Sequence, residues 1–181
     1  MSERDRGAPS SKRLFFALWP DTALQEELHA LAATMLPPGD GRRTPSANIH
    51  LTLAFLGSVS PEDQVCYEQA ADRIRAERFN LTLDARGCFR RSGIFWIGAE
   101  HVPEGLLALV RALSEALQAC GYEPDPRPFR AHLTLARRLR RCPRLPQPAP
   151  IEWSVGDFAL VQSHLGVGSA EYEILRRWPL V

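Results

Sequence analysis

Lysine is almost absent from this chain, cysteine follows no recognisable pattern, and no hydrophobic run is long. Of 22 basic residues only Lys12 is a lysine, and they face 21 acidic ones for a formal charge of +1. That balance excludes a protein that coats nucleic acid by net charge, while leaving room for a local basic patch. No apolar stretch approaches the ~20 residues a membrane helix requires, so no membrane partner is expected. The apolar segment Leu14–Trp19 is also too short for the core of a secretory signal. Cys66, Cys88, Cys120 and Cys142 form no CxxC pair and no Cys/His cluster at zinc-finger spacing. They read as reduced thiols, and the protein as cytoplasmic. Gly166-Val167-Gly168 lacks the third glycine of a dinucleotide fingerprint, and neither a phosphate-loop lysine motif nor a GxSxG elbow occurs.

What is present is a chain of 181 residues, a length that suits one domain or two small lobes sharing a core. Residues 1–12 form a polar tail, expected to be disordered, and 13–181 a single folded unit. Arg13–Trp19 reads as a buried strand ending at Pro20. Asp21 then caps a helix carrying Leu24, Leu28, Leu31 and Met35, which Pro37-Pro38-Gly39 stops. Residues 39–48 are loop-like, and Ile49–Leu56 alternates as a strand. Ser60 opens a helix reaching about Arg78, followed by a strand over Phe79–Ala85.

The second half repeats this rhythm. Ile94–Ala99 is a strand, and Pro103-Glu104 opens a helix with an apolar face of Leu106, Leu107, Val110, Leu113 and Leu117, stopped by Gly121. Phe129–Ala136 is a strand, 137–150 an Arg- and Pro-rich loop, and Val155–Ser163 and Tyr172–Arg177 are closing strands. Strands alternating with single helices indicate an α/β or α+β sandwich, not a bundle or a barrel.

The pentapeptide His-Leu-Thr-Leu-Ala occurs twice, at His50–Ala54 and His132–Ala136, each late in a strand that follows a helix. Such a repeat points to two similar lobes. On a strand, His50 and Thr52 share one face while Leu51 and Leu53 take the other. If the lobes pair about a pseudo-two-fold axis, His50, Thr52, His132 and Thr134 converge on one cleft. A neutral imidazole there accepts a proton from water, and a charged one donates to a leaving oxygen. Threonine hydroxyls and Arg137 suit a phosphate. A lone strand histidine is usually structural, and His29, His101 and His164, outside any motif, are read so. A pair on one face argues otherwise, because burying two for stability alone costs desolvation.

With these motifs and the flanks RLFFALWP, HLTLAFLG and HLTLAR, the chain resembles the 2H phosphoesterase superfamily, in its RNA 2′,3′-cyclic phosphodiesterase branch. The resemblance implies a bilobed α+β fold: two pseudo-symmetric lobes of antiparallel sheet, helices outside, both histidines in a central cleft. It implies hydrolysis of an RNA 2′,3′-cyclic phosphate to a 2′-phosphomonoester, with no metal and no cofactor. His50 would be the proton donor and His132 the proton acceptor, an order that identical motifs leave open by themselves. Thr52, Thr134 and Arg137 would hold the phosphate.

RNA ends are the expected partner, tRNA fragments and small cyclic nucleotides included, with the chain a monomer. Two flanks depart from the family: Arg43 and Thr44 follow Arg42 where an aromatic is usual, and Ala131 stands where proline is common. Seven arginines lie between Arg127 and Arg144 with no acid among them. They form either a solvated loop or a rim that tracks phosphates. Phe89, Phe95 and Trp96 are core residues by default, with stacking on a base as the alternative. A binding module with the same groove and no turnover is the second reading, and a metallo-hydrolase using His50 and His132 as ligands the third.

Overall fold

The structure is a computed structural model that describes residues 11–36, 39–143, 147–165 and 170–181. Residues 1–10, Pro37, Pro38, Arg144 and the Gly166-Val167-Gly168 segment lie outside the described residues. Lys12, placed in the expected 1–12 tail, already opens the first strand.

The strands are β1 (Lys12–Leu18), β2 (Arg42–Arg43), β3 (Leu51–Val59), β4 (Phe79–Leu83), β5 (Ala85–Phe89), β6 (Ile94–Gly98), β7 (His132–Arg137), β8 (Ile151–Val155), β9 (Asp157–Leu165) and β10 (Ala170–Pro179). The helices among the described residues are α1 (Thr22–Met35), α2 (Pro61–Ala71) and α3 (Glu104–Gln118), with a 3-10 turn at Ser46–Asn48. Eight strands form one antiparallel sheet in the order β10-β9-β1-β3-β7-β6-β5, with β2 paired to β7, while β4 and β8 form a separate ribbon. This is the expected α+β architecture.

The two halves follow the same path. β1-α1-β3-α2-β4-β5 matches β6-α3-β7-loop-β8-β9, and the arginine-rich loop stands where the first half has α2. The lobes meet where β3 lies against β7, joined through the single register pair Leu51↔Leu133. Two helices cross the seam, α1 reaching β7 and α3 reaching β3. Leu51, Leu53, Leu133 and Leu135 are buried beneath these helices with Leu28, Leu106, Leu113 and Leu117. A smaller cluster of Phe15, Ala17, Ala159 and Val161 covers the opposite face of β1, which is why that strand reads as apolar throughout.

Several elements differ from the sequence expectation for tertiary reasons. α2 ends at Ala71 because the chain beyond it pairs with the C-terminus: Arg78 N donates to Val181 O, and Val181 N to Ala76 O. On α3 the buried row is Leu106, Leu109, Leu113 and Leu117, with Leu107 and Val110 half-buried. β5, where no strand is expected from sequence, carries no alternation because it is half-buried throughout. Trp96 of β6 lies over Gly87, where a Cβ would sit 2.3 Å from the indole. Gly156 divides the expected strand at Val155 into β8 and β9, which belong to different sheets.

The cysteines require a correction, because none of them is a free thiol. Cys66 on α2 bonds Cys120 just past α3, and Cys88 on β5 bonds Cys142 in the arginine-rich loop. Spacing in sequence did not reveal these pairs because each spans a 54-residue separation closed only by the tertiary fold. In the loop-entropy account a closure of that length stabilises by about 4 kcal/mol. Reduction is therefore expected to lower the melting temperature by several degrees, and Cys66→Ser to reproduce part of the loss. Identical calorimetric melts with and without reductant would contradict both bridges.

Candidate active site

Antiparallel pairing at Leu51↔Leu133 sets His50 opposite Thr134 and Thr52 opposite His132. All four are half-buried, on the sheet face away from the helices. The segment leading to His50 is clamped from below. Gln25, buried within α1, donates to the carbonyl oxygens of Ala47 and Ile49, and Asn48 donates to Ala170 O.

Both imidazoles are held alike. His50 Nδ1 donates to Asn48 O at 2.7 Å, and His132 Nδ1 donates to Arg130 O at 2.8 Å, each two residues back along the chain. Fixing the proton on Nδ1 leaves Nε2 as the nitrogen that gains or loses one.

A β-bulge recurs at the fourth residue of each motif. On β3 the register steps from Thr52 to Ala54 while β1 advances one residue, and on β7 it steps from Thr134 to Ala136 while β6 advances one. Leu53 and Ala54 are therefore both buried, as are Leu135 and Ala136, and the next residue returns to the cleft face. That residue is Phe55 in one motif and Arg137 in the other. The positive charge of Arg137 acts on both His50 and His132, which puts it at the site. Phe55 is 64% exposed and packs against Phe15, offering a flat apolar face at the mirror position.

The surroundings of the two histidines differ. Leu18 pairs with Leu51, so Trp19 falls beside His50, and the two rings stack at 5.0 Å with 3° between planes. Phe15 lies 4.9 Å and Tyr172 5.1 Å from the same imidazole. Opposite His132 the register places Gly98, and its ring neighbours are Phe89 at 5.2 Å and Trp96 at 6.3 Å. Burial pulls His50 down from 6.5 to about 4 against its hydrogen bond to Asn48, with Arg137 and His132 adding to the fall. His132 is lowered too, again by burial first, opposed by its bond to Arg130 O and reinforced by Arg137 and Arg130.

Every site residue expected from sequence lies on this face. Reasoning from sequence missed Trp19, Phe15, Tyr172 and Phe55; the signal for Phe55 was its place after HLTLA, matching Arg137. Phe89 and Trp96 pack on His132, whereas Phe95 is core. His29 bonds Thr44 O, His164 pairs with Glu173, and His101 is exposed, all three outside the site. Arg127 is paired with Asp125 at the surface.

A sheet that brings two His-x-Thr motifs onto one cleft beside an arginine defines the class of two-histidine phosphoesterases. The family model described as the 2′-5′ RNA ligase superfamily matches residues 20–166, and the chain belongs to that family. It is 38% identical over 171 residues to the RNA 2′,3′-cyclic phosphodiesterase of Escherichia coli (strain K12), covering 93% of this chain and 97% of the relative. It is 35% identical over 185 residues to the protein of that name from Thermus thermophilus, covering 93% and 90%. The crystal structure of E. coli LigT complexed with 3′-AMP superposes with a TM-score of 0.88 at 36% identity, over 94% of this chain and 98% of that one.

The depressed His50 gives a pH signature in stability. Its folded value lies below its unfolded one, so the contribution is present above about 6.5 and lost as pH falls towards 4. Lowering the pH from 7 to 4.5 is expected to cost up to about 3 kcal/mol through this group. Urea melts of His50→Gln should show a correspondingly smaller pH dependence; the same dependence in both proteins would remove His50 as the cause.

Proposed function

We propose that this chain hydrolyses 2′,3′-cyclic phosphate ends of RNA to 2′-phosphomonoesters by two-histidine acid–base catalysis. The observation that carries the reading is the matched pair of imidazoles, each fixed through Nδ1 to a backbone carbonyl, with Thr52, Thr134 and Arg137 around them. The names carried by its relatives support the same reaction.

Water attacks phosphorus as His132 Nε2 takes its proton. The P–O3′ bond breaks, and His50 Nε2 gives its proton to the departing 3′ oxygen. The product is a 2′-phosphate beside a 3′-hydroxyl; His132 then sheds its proton to solvent and His50 regains one. Thr52 and Thr134 donate to the non-bridging oxygens while Arg137 opposes the added charge of the pentacoordinate state. Phe55 offers its ring to a base. No metal or cofactor enters this scheme, and a monomer suffices for it.

One observation favours the reverse order of the histidines. An imidazole at about 4 rests neutral at pH 7, the state of a base and not of an acid. A bound phosphodiester anion counters this by favouring the charged form of whichever imidazole it touches. RNA ends, tRNA fragments among them, and small cyclic nucleotides all present this phosphate. A cytoplasmic location is part of the reading; the two disulfides pull against it, since reducing compartments keep thiols free.

With a short RNA ending in a 2′,3′-cyclic phosphate and chelator present, a 2′-phosphate product is expected. His50→Ala and His132→Ala should each lose about 10²–10⁴ in kcat. A substrate with sulfur as the 3′ leaving atom needs no acid, so it should restore turnover to His50→Ala and not to His132→Ala; the opposite pattern would exchange the two roles. Tight binding with no product would make the protein a binding module.

A further inference from the structure

Five arginines that the reaction scheme leaves unused meet at one end of the cleft. Arg90 and Arg91 occupy the turn between β5 and β6, while Arg138, Arg140 and Arg141 follow β7. All five are exposed, and none of their guanidinium groups has an ion-pair or hydrogen-bond partner among the described residues. The two segments are fastened to each other. Arg138, left-handed at φ 59, turns the chain off β7, and Leu139 N then donates to Gly93 O. Gly93 adopts φ +60, and a Cβ there would lie 2.6 Å from Leu139 O, so the turn is pressed directly on this segment. The Cys88–Cys142 bridge closes the same contact from β5. On the other side Leu139 is buried, and the Asp40 carboxylate accepts from the main-chain N of Arg140.

Arginines on a merely solvated loop are free to spread apart and lower their repulsion. Here a buried leucine, a backbone hydrogen bond and a disulfide hold two arginine-bearing segments together. Like charges gathered in this way favour a partner carrying several negative charges. The surface is also continuous with the site. Phe89, whose ring lies 5.2 Å from that of His132, immediately precedes Arg90, and Arg137 immediately precedes Arg138. From the pair Leu51↔Leu133, β3 leaves towards Phe55 and β7 in the opposite direction towards Arg137. The exposed arginines after β7 therefore begin beyond its end, roughly 14 Å from Leu133 at about 3.4 Å per residue. A phosphate between the histidines lies short of them, and a strand continuing from it comes within their reach.

We propose that this surface binds the sugar-phosphate backbone of RNA on the 5′ side of the reacting end. The favoured substrate is then the end of an oligonucleotide and not a free nucleoside cyclic phosphate. The inference rests on the reaction proposed above and names its substrate class. Guanidinium groups grip phosphate oxygens in pairs, and such contacts carry no base information, so the surface adds affinity without sequence selectivity. Each phosphate neutralised on a single strand adds about −0.7 to the slope of log affinity against log salt.

The test compares a nucleoside 2′,3′-cyclic phosphate with a single-stranded RNA of several nucleotides that ends in the same group. Arg90→Gln with Arg91→Gln, and separately Arg140→Gln with Arg141→Gln, should each lower kcat/KM for the RNA roughly tenfold, through KM. Turnover of the mononucleotide should stay within about twofold in both pairs, since its phosphate does not reach the surface. Binding of an RNA ending in a 2′-phosphate, read by fluorescence anisotropy across a salt series, should show a slope shallower by about 1 in each pair. Arg73→Gln with Arg75→Gln serves as the control and should change neither reading. It removes two charges beside Asp72, which bonds Arg176 of β10 at the edge of the sheet opposite β5. Equal losses on both substrates, an unchanged salt slope, or the same effects in the control would overturn the surface. If neither cyclic substrate is turned over, the reaction falls, and the anisotropy slopes alone decide the surface.

Discussion

The contact between β3 and β7 at Leu51 and Leu133 is the constraint on which the site depends. Two antiparallel strands that touch at one residue pair and then diverge bring both histidines to a shared face while leaving a cleft on either side. The leucines of the two motifs bury beneath helices that cross from the opposite lobe, so the seam is held from below by the largest hydrophobic cluster of the molecule. The histidines and threonines take the cleft side of the sheet because the leucines between them are buried on the other. A packing fault at Leu51 or Leu133 would therefore be felt as a misplaced imidazole as much as a loss of stability.

Pseudo-symmetry brings equivalent groups together, and its violations make them different. The repeated bulge delivers Phe55 in one lobe and Arg137 in the other, one suited to an aromatic ring and the other to an anion. Beside the histidines the contrast is Trp19 against Gly98. Tryptophan stacks on His50 and removes water from it; glycine adds no side chain beside His132. Identical pentapeptides acquire unequal surroundings from what lies beside them on the neighbouring strand.

Much of this was legible in the sequence. The doubled HLTLA, read with a period of two, placed His50, Thr52, His132 and Thr134 on one face, and Asp21 and Ser60 marked helix starts that are observed. The resemblance supplied the bilobed arrangement. What remained hidden depends on contacts between distant segments. β5 lacks alternation because it is half-buried throughout, and α2 stops early because the C-terminus bonds its exit. The disulfides join residues that only the closed fold makes neighbours. The bulges shift one strand by a residue, which no periodic reading of that strand alone detects.

The order of the sheet also bears on how the molecule is made. β1 lies between β3 and β9, so one edge of the first strand stays unpaired until residues 157–165 arrive, and Tyr172 reaches His50 only with the strand after that. An emerging chain thus carries an open, apolar edge until β9 has been made, a surface that invites pairing with another chain. The enclosure of His50 is completed only once β9 and Tyr172 have been made. A prematurely ended chain would keep both HLTLA motifs, yet it would carry the first histidine in water and an edge ready to aggregate.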